Sequence, residues 1–547
     1  MNCWLVTFDI TGIQKYIFNS KRLKFCIEGS DLVKKSLEEY LLKSGDKYFN
    51  SIWTKMSSKE FFHSKNDDDA TIIFSSGGNA QVLCREKTRA EAFVMDHLRF
   101  LMEKVPDLNL VADIQEWNPD VESFAHAHKR VAESINQKKN AKVYLNFPEL
   151  PATVSRCQLT GKPGFTEYCD HSKNIWVSRD IHLRSKSGKE ANEWRLMSDL
   201  SEKTRDIVKE RNLGFSVELD SIRGMEGENS YIGVIHIDGN RMATKFRNLL
   251  KDEQSKLESV EKYQTSSQRV DEAARGAFNF GIDWILNNLQ DRPNNNDRQS
   301  LTVKSRNTKL WAFGHVPLHI EDGKSIIPVR KIIIGGDDIT VVAEGSISID
   351  LAAVMTREFV SRLREIKGFE EAGACVGIGL GKAHAPIYRM YHFAEMCCKN
   401  AKSQVNSDDS SQIYMDFRFL EESDEKIKSS PGCRPFALPG FDAKKTYGPL
   451  PDWYTFRSGI LSKFQGDEGK KIHSRLKSFL SDLREGKEMA ELKRKIWKER
   501  DVKEGDLFST TNGNLFIMDR SPYIDAIELM DFVVPEISLP NQQEGGN

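Results

Sequence analysis

Twice in this chain a Gly-Gly pair separates two short β-forming runs: TIIFSSGGNAQVL at 71–83 and KIIIGGDDITVVA at 331–343. Glycine reaches positive φ without a Cβ penalty, so such a pair between apolar runs spells a tight antiparallel hairpin. A lone hairpin is marginal in water, so each needs a sheet to join and helices to cover it. The flanking sequence supplies both, in the same order each time. Before the first hairpin, residues 2–10 alternate as a strand and helical pattern runs to about Leu42, ahead of the polar stretch SKNDDDA. After it come a helix at 87–105, a strand at 108–115 and a helix at 120–138. Around the second, SYIGVIHID at 230–238 reads as a doubly covered strand and 240–290 as helical, followed by helix 347–367, strand 373–381 and helix 387–403. The order β-α-β-β-α-β is the ferredoxin-like arrangement of palm domains. The fold class is therefore α+β with two ferredoxin-like palms. Their duplication is read from element order, since residue identity between the halves is low.

A chain of 547 residues is too long for one core and corresponds to roughly three or four domains. The expected division is a first palm at 1–145, a loop-rich connecting region at 146–225, a second palm at 226–425 and a helical C-terminal domain at 426–547. A loop-rich insertion occupies 291–308, PGCRPFALPGF at 431–441 reads as a linker, 467–500 is helical and charged, and the tail NQQEGGN reads as frayed.

Charge excludes one class. With 79 Lys and Arg against 80 Asp and Glu, the net charge of -1 carries no global nucleic-acid footprint, so any nucleic acid is held by a local patch or by partner subunits. Nine scattered cysteines suit a reducing cytoplasm. The start MNCWLVTFDI lacks a signal peptide's features, and no apolar run spans a membrane.

The second hairpin carries the chemistry. Asp337 and Asp338 follow its glycines, and paired carboxylates at a turn need a counter-charge. Hard oxygen ligands of this kind suit Mg²⁺ or Mn²⁺ held together with substrate phosphates. Asp238 ends the preceding strand. If that strand lies beside the first strand of the hairpin, the three carboxylates meet at one sheet edge as a two-metal ligand set. Taken alone, Gly-Gly-Asp-Asp is equally a plain turn.

The chain resembles the large polymerase/cyclase subunit of type III CRISPR effector complexes, most closely the Cmr type. FDITGIQKYIF at 8–18, SSGGNAQVL at 75–83, HIDGNRMATKF at 236–246, GGDD at 335–338 and ACVGIGLGKAHAPIYRMYHFAEMCCKNAK at 374–402 carry the resemblance, in the family's order. It implies a nucleotidyltransferase that turns ATP into a second messenger when its complex pairs with target RNA. Asp238 and Asp337 would be the principal catalytic metal ligands, with Asp338 assisting. Lys402 would face the triphosphate, Gly239 and Asn240 would begin a phosphate-accepting helix, and Gly335 and Gly336 would frame the turn. Gly77, Gly78 and Asn79 would line the acceptor nucleotide at a catalytically dead first palm, where Asp9 can assist. The family's usual product is a cyclic oligoadenylate. Members lacking the nuclease domain can instead join ATP to S-adenosylmethionine, and Asp68, Asp69 and Glu149 are candidates to meet its amine because they flank the first palm. The implied partners are other effector subunits, guide RNA and target RNA.

Two family features are missing. The first palm begins at residue 2 and no adjacent His-Asp pair exists, so no HD-type nuclease activity is expected. Where the family has an interpalm zinc site, this sequence offers only Cys157, Cys169 and His171, one ligand short of a tetrahedral set, and buried structural cysteines are the expectation. His126 and His128 in FAHAHK are read as surface residues, because i and i+2 face apart on a helix. The cluster KRKIWKER at 493–500 is read as a solvated helix face. Rival readings are a catalytically silent scaffold of the complex and a free-standing nucleotide cyclase.

Overall fold

Strand β1 (Cys3–Thr11) buries Leu5, Val6 and Phe8 completely, and its neighbours build a four-stranded sheet around it. A computed structural model describes residues 2–140, 154–223, 230–250, 256–291, 301–303, 318–420, 431–439 and 449–534, except 52, 54, 171, 172, 187, 188, 408, 501 and 512. After β1 come helix α1 (Leu23–Leu37), strands β2 (Ala70–Ser76) and β3 (Asn79–Cys84), helix α2 (Lys87–Lys104), strand β4 (Asn109–Trp117) and helix α3 (Phe124–Asn140). The sheet order is β2-β3-β1-β4, antiparallel throughout.

The second palm repeats the plan with β5 (Tyr231–Gly239), the long helix α4 (Lys256–Asn287), β6 (Val329–Gly335), β7 (Asp338–Glu344), α5 (Gly345–Arg364), β8 (Ala374–Lys382) and α6 (Ile387–Lys402). Its sheet continues past β8 through β9 (Tyr414–Phe419) and β10 (Phe436–Ala437), in the order β6-β7-β5-β8-β9-β10. In both sheets the strand beside the leading one is the second strand of the hairpin, not the first as the sequence reading had it. The crossover helix sets the hairpin's first strand one place out, and the returning strand fills the gap.

The first turn falls where the sequence put it, whereas the second is shifted by one residue. In the first hairpin Ser76 pairs with Asn79 and the tip is Gly77-Gly78, at φ 61° and 81°. In the second, Gly335 pairs with Asp338, so the tip is Gly336-Asp337, with Gly336 at φ 60°. Asp337 is therefore a turn residue and Asp338 begins the strand.

The palms share a core. Phe8 and Val82 of the first sheet belong to the same buried cluster as Ile332 and Val342 of the second and Met390 of α6. Phe18 stacks on Tyr391 with ring centroids 3.9 Å apart, an aromatic contact worth ~0.5–1.5 kcal/mol beyond its buried area.

The segment read as a linker is structural over its described part, 431–439. Phe436 pairs onto the sheet edge through β10, and Cys433, Phe436 and Leu438 are buried. The buried Arg434 ties it to the final helix, Pro522–Leu529, through Asp525 and Glu528, each at 2.8 Å. The C-terminal helices His473–Glu485 and Lys487–Glu499 share a hydrophobic core with the second palm. In KRKIWKER only part of the face is solvated: Trp497 is buried, and Arg494 pairs with Glu504 at 2.6 Å. Residues 292–300, 304–317 and the tail 535–547 lie outside the described residues.

His126 is exposed as expected, but His128 is not a surface residue. The two do face apart, and the inward one packs on Phe124 and on Tyr263 of α4, with centroids at 5.9 and 5.0 Å. Burial pushes its pKa down to about 4.

Candidate active site

β5 is apolar because it is covered on both faces, and its last residues emerge at the sheet edge. Its antiparallel register with β7 sets Asp238 directly opposite Asp338. Asp337 sits at the adjoining turn. Gly239 leaves room for it: a Cβ there would lie 3.2 Å from the Asp337 Cβ and 2.6 Å from Met242. The three carboxylates expected from sequence thus meet at one edge.

Their electrostatics differ. Asp337 is raised to about 6, first by desolvation and then by the charge of Asp238, with a smaller push from Asp338 and a smaller pull from Lys402. A carboxylate held up in this way lacks sufficient counter-charge from the protein, which is what a divalent cation supplies. Lys402, the last residue of α6, reaches Asp238 at 2.5 Å and the Gly239 carbonyl at 3.4 Å. Burial alone would lower its pKa, but the Asp238 carboxylate more than offsets this and the net shift is upward.

His236 is a member of the site that sequence reasoning passed over. It lies two residues before Asp238, so both side chains leave the same face of β5. Its Nδ1 is 3.1 Å from the Thr340 hydroxyl and 3.3 Å from Asp338, and Thr340 donates to the same Asp338 oxygen at 3.2 Å. Burial lowers the imidazole pKa, Asp338 raises it further, and the net direction is up. Alternation in VIHID was the available signal. Together, His236, Asp238 and Cys398 place donors within 4.8 Å of one another, the one such group among the described residues.

A cavity of about 940 Å³ opens between the palms, and both hairpin tips line it. Gly77, Gly78, Gly335, Asp337 and Asp338 face it. The tips touch through backbone: a Cβ on Gly335 would lie 3.5 Å from the Gly77 nitrogen. Several cations on the wall pair with acids, Lys35 with Asp31 at 2.9 Å, Arg275 with Asp199 at 2.8 Å and Lys331 with the other Asp199 oxygen, and the buried Arg330 lines the wall beside them. Arg195 pairs with Asp31 and with Glu28, and Lys34 lies 4.0 Å from Glu38.

The remaining expected residues lie elsewhere. Asn240 spends its polar groups inside the protein: its N–H donates to Gly373 O at 2.8 Å and its amide to Ser410 O and Gln412 O. Asn79 pairs opposite Asp9 across β3 and β1, and Asp9 binds Lys139 of α3 at 2.6 Å. This repeats, position for position, the Asp338–Asp238–Lys402 arrangement of the second palm. Asp68 and Asp69 do not line the cavity; Asp69 is buried and accepts from Asn50. Glu149 lies outside the described residues.

Cys157 is buried and Cys169 exposed, and His171 lies outside the described residues. The exposed Cys169 departs from the expected buried cysteines, while the other described cysteines are buried and free of disulfides. Among the described residues no helix is long and apolar enough to cross a membrane.

No protein-family model matches the sequence, and no curated protein matches it significantly. Solved structures do match in fold. A Csm1-Csm4 cassette in complex with cA4 aligns at TM-score 0.52 and 12% identity, over 97% of this chain and 70% of that one. A Csm1-Csm4 cassette in complex with one ATP aligns at 0.51 and 13%, with the same coverage. Csm1 in T. onnurineus aligns at 0.50 and 13%, over 98% and 70%. The chain shares the fold of these Csm1 structures.

Proposed function

We propose that this chain is a metal-dependent nucleotidyltransferase acting on ATP, the signalling subunit of a type III CRISPR complex that is switched on by target RNA. The observation that carries the reading is the meeting of Asp238 with Asp337 and Asp338, the latter two lining a cavity shared with a second glycine hairpin. A scaffold gains nothing from clustering three carboxylates, one of them held at about 6. The nucleotides in the Csm1 structures support the same reading, as do the Csm4 partners for membership of a larger complex.

Asp238, Asp337 and Asp338 would hold Mg²⁺ or Mn²⁺. Such an ion lowers the pKa of an attacking 3′-hydroxyl and neutralises charge on the phosphates and departing pyrophosphate. Lys402 holds the Asp238 carboxylate in place. His236 and Thr340 fix the Asp338 carboxylate. Gly77 and Gly78 put no side chain of their own into the cavity on the acceptor side.

The paired charges on the cavity wall bear on the product. An acceptor carrying its own triphosphate needs uncompensated cations, whereas Lys35, Arg195, Arg275 and Lys331 are already matched by carboxylates. That balance favours an acceptor with a zwitterionic end, such as S-adenosylmethionine, over the second ATP of a cyclic oligoadenylate.

The test is product analysis of labelled ATP with Mg²⁺ by the purified complex and target RNA, with and without S-adenosylmethionine. A new phosphodiester product that disappears in Asp337→Ala/Asp338→Ala is expected, and its dependence on S-adenosylmethionine identifies the messenger. No product in either condition, with RNA bound normally, supports the scaffold instead. Full activity from the lone chain without RNA supports a free-standing cyclase.

A further inference from the structure

The two hairpin tips belong to different halves of the molecule, yet one side chain holds both. Asp271 lies midway along α4, away from either hairpin in sequence. Its Oδ1 accepts from the Ser76 hydroxyl of the first palm at 3.2 Å and from the Gly336 N–H of the second at 3.3 Å. Its Oδ2 accepts from Arg275 Nε at 2.7 Å, and Arg275 reaches on to Asp199 at 2.8 Å. Asp199 in turn pairs with Lys331 on β6, the strand that leads into the Gly336 turn.

The chemistry of this arrangement is specific. Gly336 sits at φ 60°, a conformation that L side chains rarely adopt, and its N–H has few ways to be satisfied in a tip packed against another backbone. Asp337 follows directly. Rotation of the turn would carry the Asp337 carboxylate away from Asp238, and the bond from Gly336 to a charged acceptor opposes that rotation. Because the same oxygen binds Ser76, the turn is fixed relative to the first palm, not merely to its own sheet.

We propose that Asp271 is a positioning residue that sets Asp337 for metal binding by clasping the two tips together, so that the first palm helps build the metal site of the second. This rests on the reading of Asp238, Asp337 and Asp338 as metal ligands. It assigns Asp271 no contact with substrate.

The experiment measures Mn²⁺ binding to the full chain by electron paramagnetic resonance, with a non-hydrolysable ATP analogue present. Wild type, Asp271→Ala, Asp271→Asn, Ser76→Ala and Asp337→Ala/Asp338→Ala are compared, with thermal midpoints recorded alongside. Loss of a charge-assisted bond predicts about tenfold weaker Mn²⁺ half-saturation in Asp271→Ala. Asp271→Asn keeps an acceptor oxygen and recovers most of the affinity. Ser76→Ala cuts one arm and weakens binding by about threefold, without lowering the thermal midpoint. Wild-type half-saturation in Asp271→Ala overturns the proposal, as does equal weakening in Asp271→Asn. If Asp271→Ala does not fold, Ser76→Ala decides in the same two directions. Absence of Mn²⁺ binding by wild type itself removes the metal-site reading and this proposal with it, whereas binding by wild type with an unaffected Asp271→Ala removes only the proposal.

Discussion

Glu344 shows how one residue couples the hairpin to the helix behind it. It ends β7 and caps α5, and a single oxygen accepts from Ser346 N at 2.9 Å, Ser346 Oγ at 2.6 Å and Ile347 N at 3.3 Å. Burial raises its pKa from 4.5 to about 7, and the three hydrogen bonds only partly oppose that. Between these values the folded protein holds a proton that the unfolded chain has released, so stability falls as pH rises through the window and levels off above it. The full effect is at most ~3 kcal/mol. Glu344→Gln keeps an acceptor and removes the titration, so its thermal midpoint should fall less than wild type's between pH 5 and pH 8. Parallel curves would sink this account. At this scale the sequence was legible where chemistry sits in contiguous motifs. Asp238 and Asp338 were found because strand ends and a Gly-Gly turn are local signals. Asp271, in the helical run QRVDEAARG, looked like any solvated helix acid, since its partners are 195 and 65 residues away. His236 was hidden for a different reason: a histidine within an apolar strand reads as core until its neighbours are known.

At the scale of elements, α6 is pressed onto β8, and the spacing of glycines in VGIGLG makes this possible. A Cβ on Gly377 would lie 2.0 Å from the Ala394 carbonyl, and one on Gly379 2.0 Å from the Met390 carbonyl. One on Gly381 would meet only the flexible end of Met390, at 2.9 Å, and other side chains. Backbone cannot yield as a thioether can. Gly379→Ala should therefore displace α6, and with it Lys402, lowering both the thermal midpoint and nucleotidyl transfer. Gly381→Ala should be tolerated, with a midpoint near wild type. Differential scanning fluorimetry beside the product assay checks this, and equal losses in the two variants would contradict it. The number and order of the elements could be read from periodicity, because both palms obey the same local rules. Strand adjacency could not, since the neighbour of β5 depends on how far the crossover helix carries the chain. The short strand β10 was taken for linker because two residues flanked by prolines show no period at all.

At the scale of the whole molecule, a buried cation holds the connecting region to the first palm. Arg184, in the short helix Arg179–Arg184, is fully buried, pairs with Asp180 at 2.8 Å and donates to Phe25 O at 2.8 Å and Tyr16 O at 3.0 Å. Tyr16 in turn donates to Asp180 at 2.8 Å. Arg184→Met strands a buried carboxylate and should cost ~3–5 kcal/mol, while Arg184→Met/Asp180→Leu should recover much of it. Urea denaturation followed by tryptophan fluorescence measures both, and a double variant no more stable than the single would refute the pairing. The duplicated plan reaches finer detail than the order of elements had suggested. Asp9 with Lys139 stands in the first palm where Asp238 with Lys402 stands in the second, but the tip residue is Gly78 in one and Asp337 in the other. The molecule thus contains its own internal standard. Isotope-labelled lysines would report both ion pairs from one sample, at one ionic strength and temperature. A perturbation felt at Lys402 and not at Lys139 can then be ascribed to what surrounds the second pair, with no second protein needed for comparison.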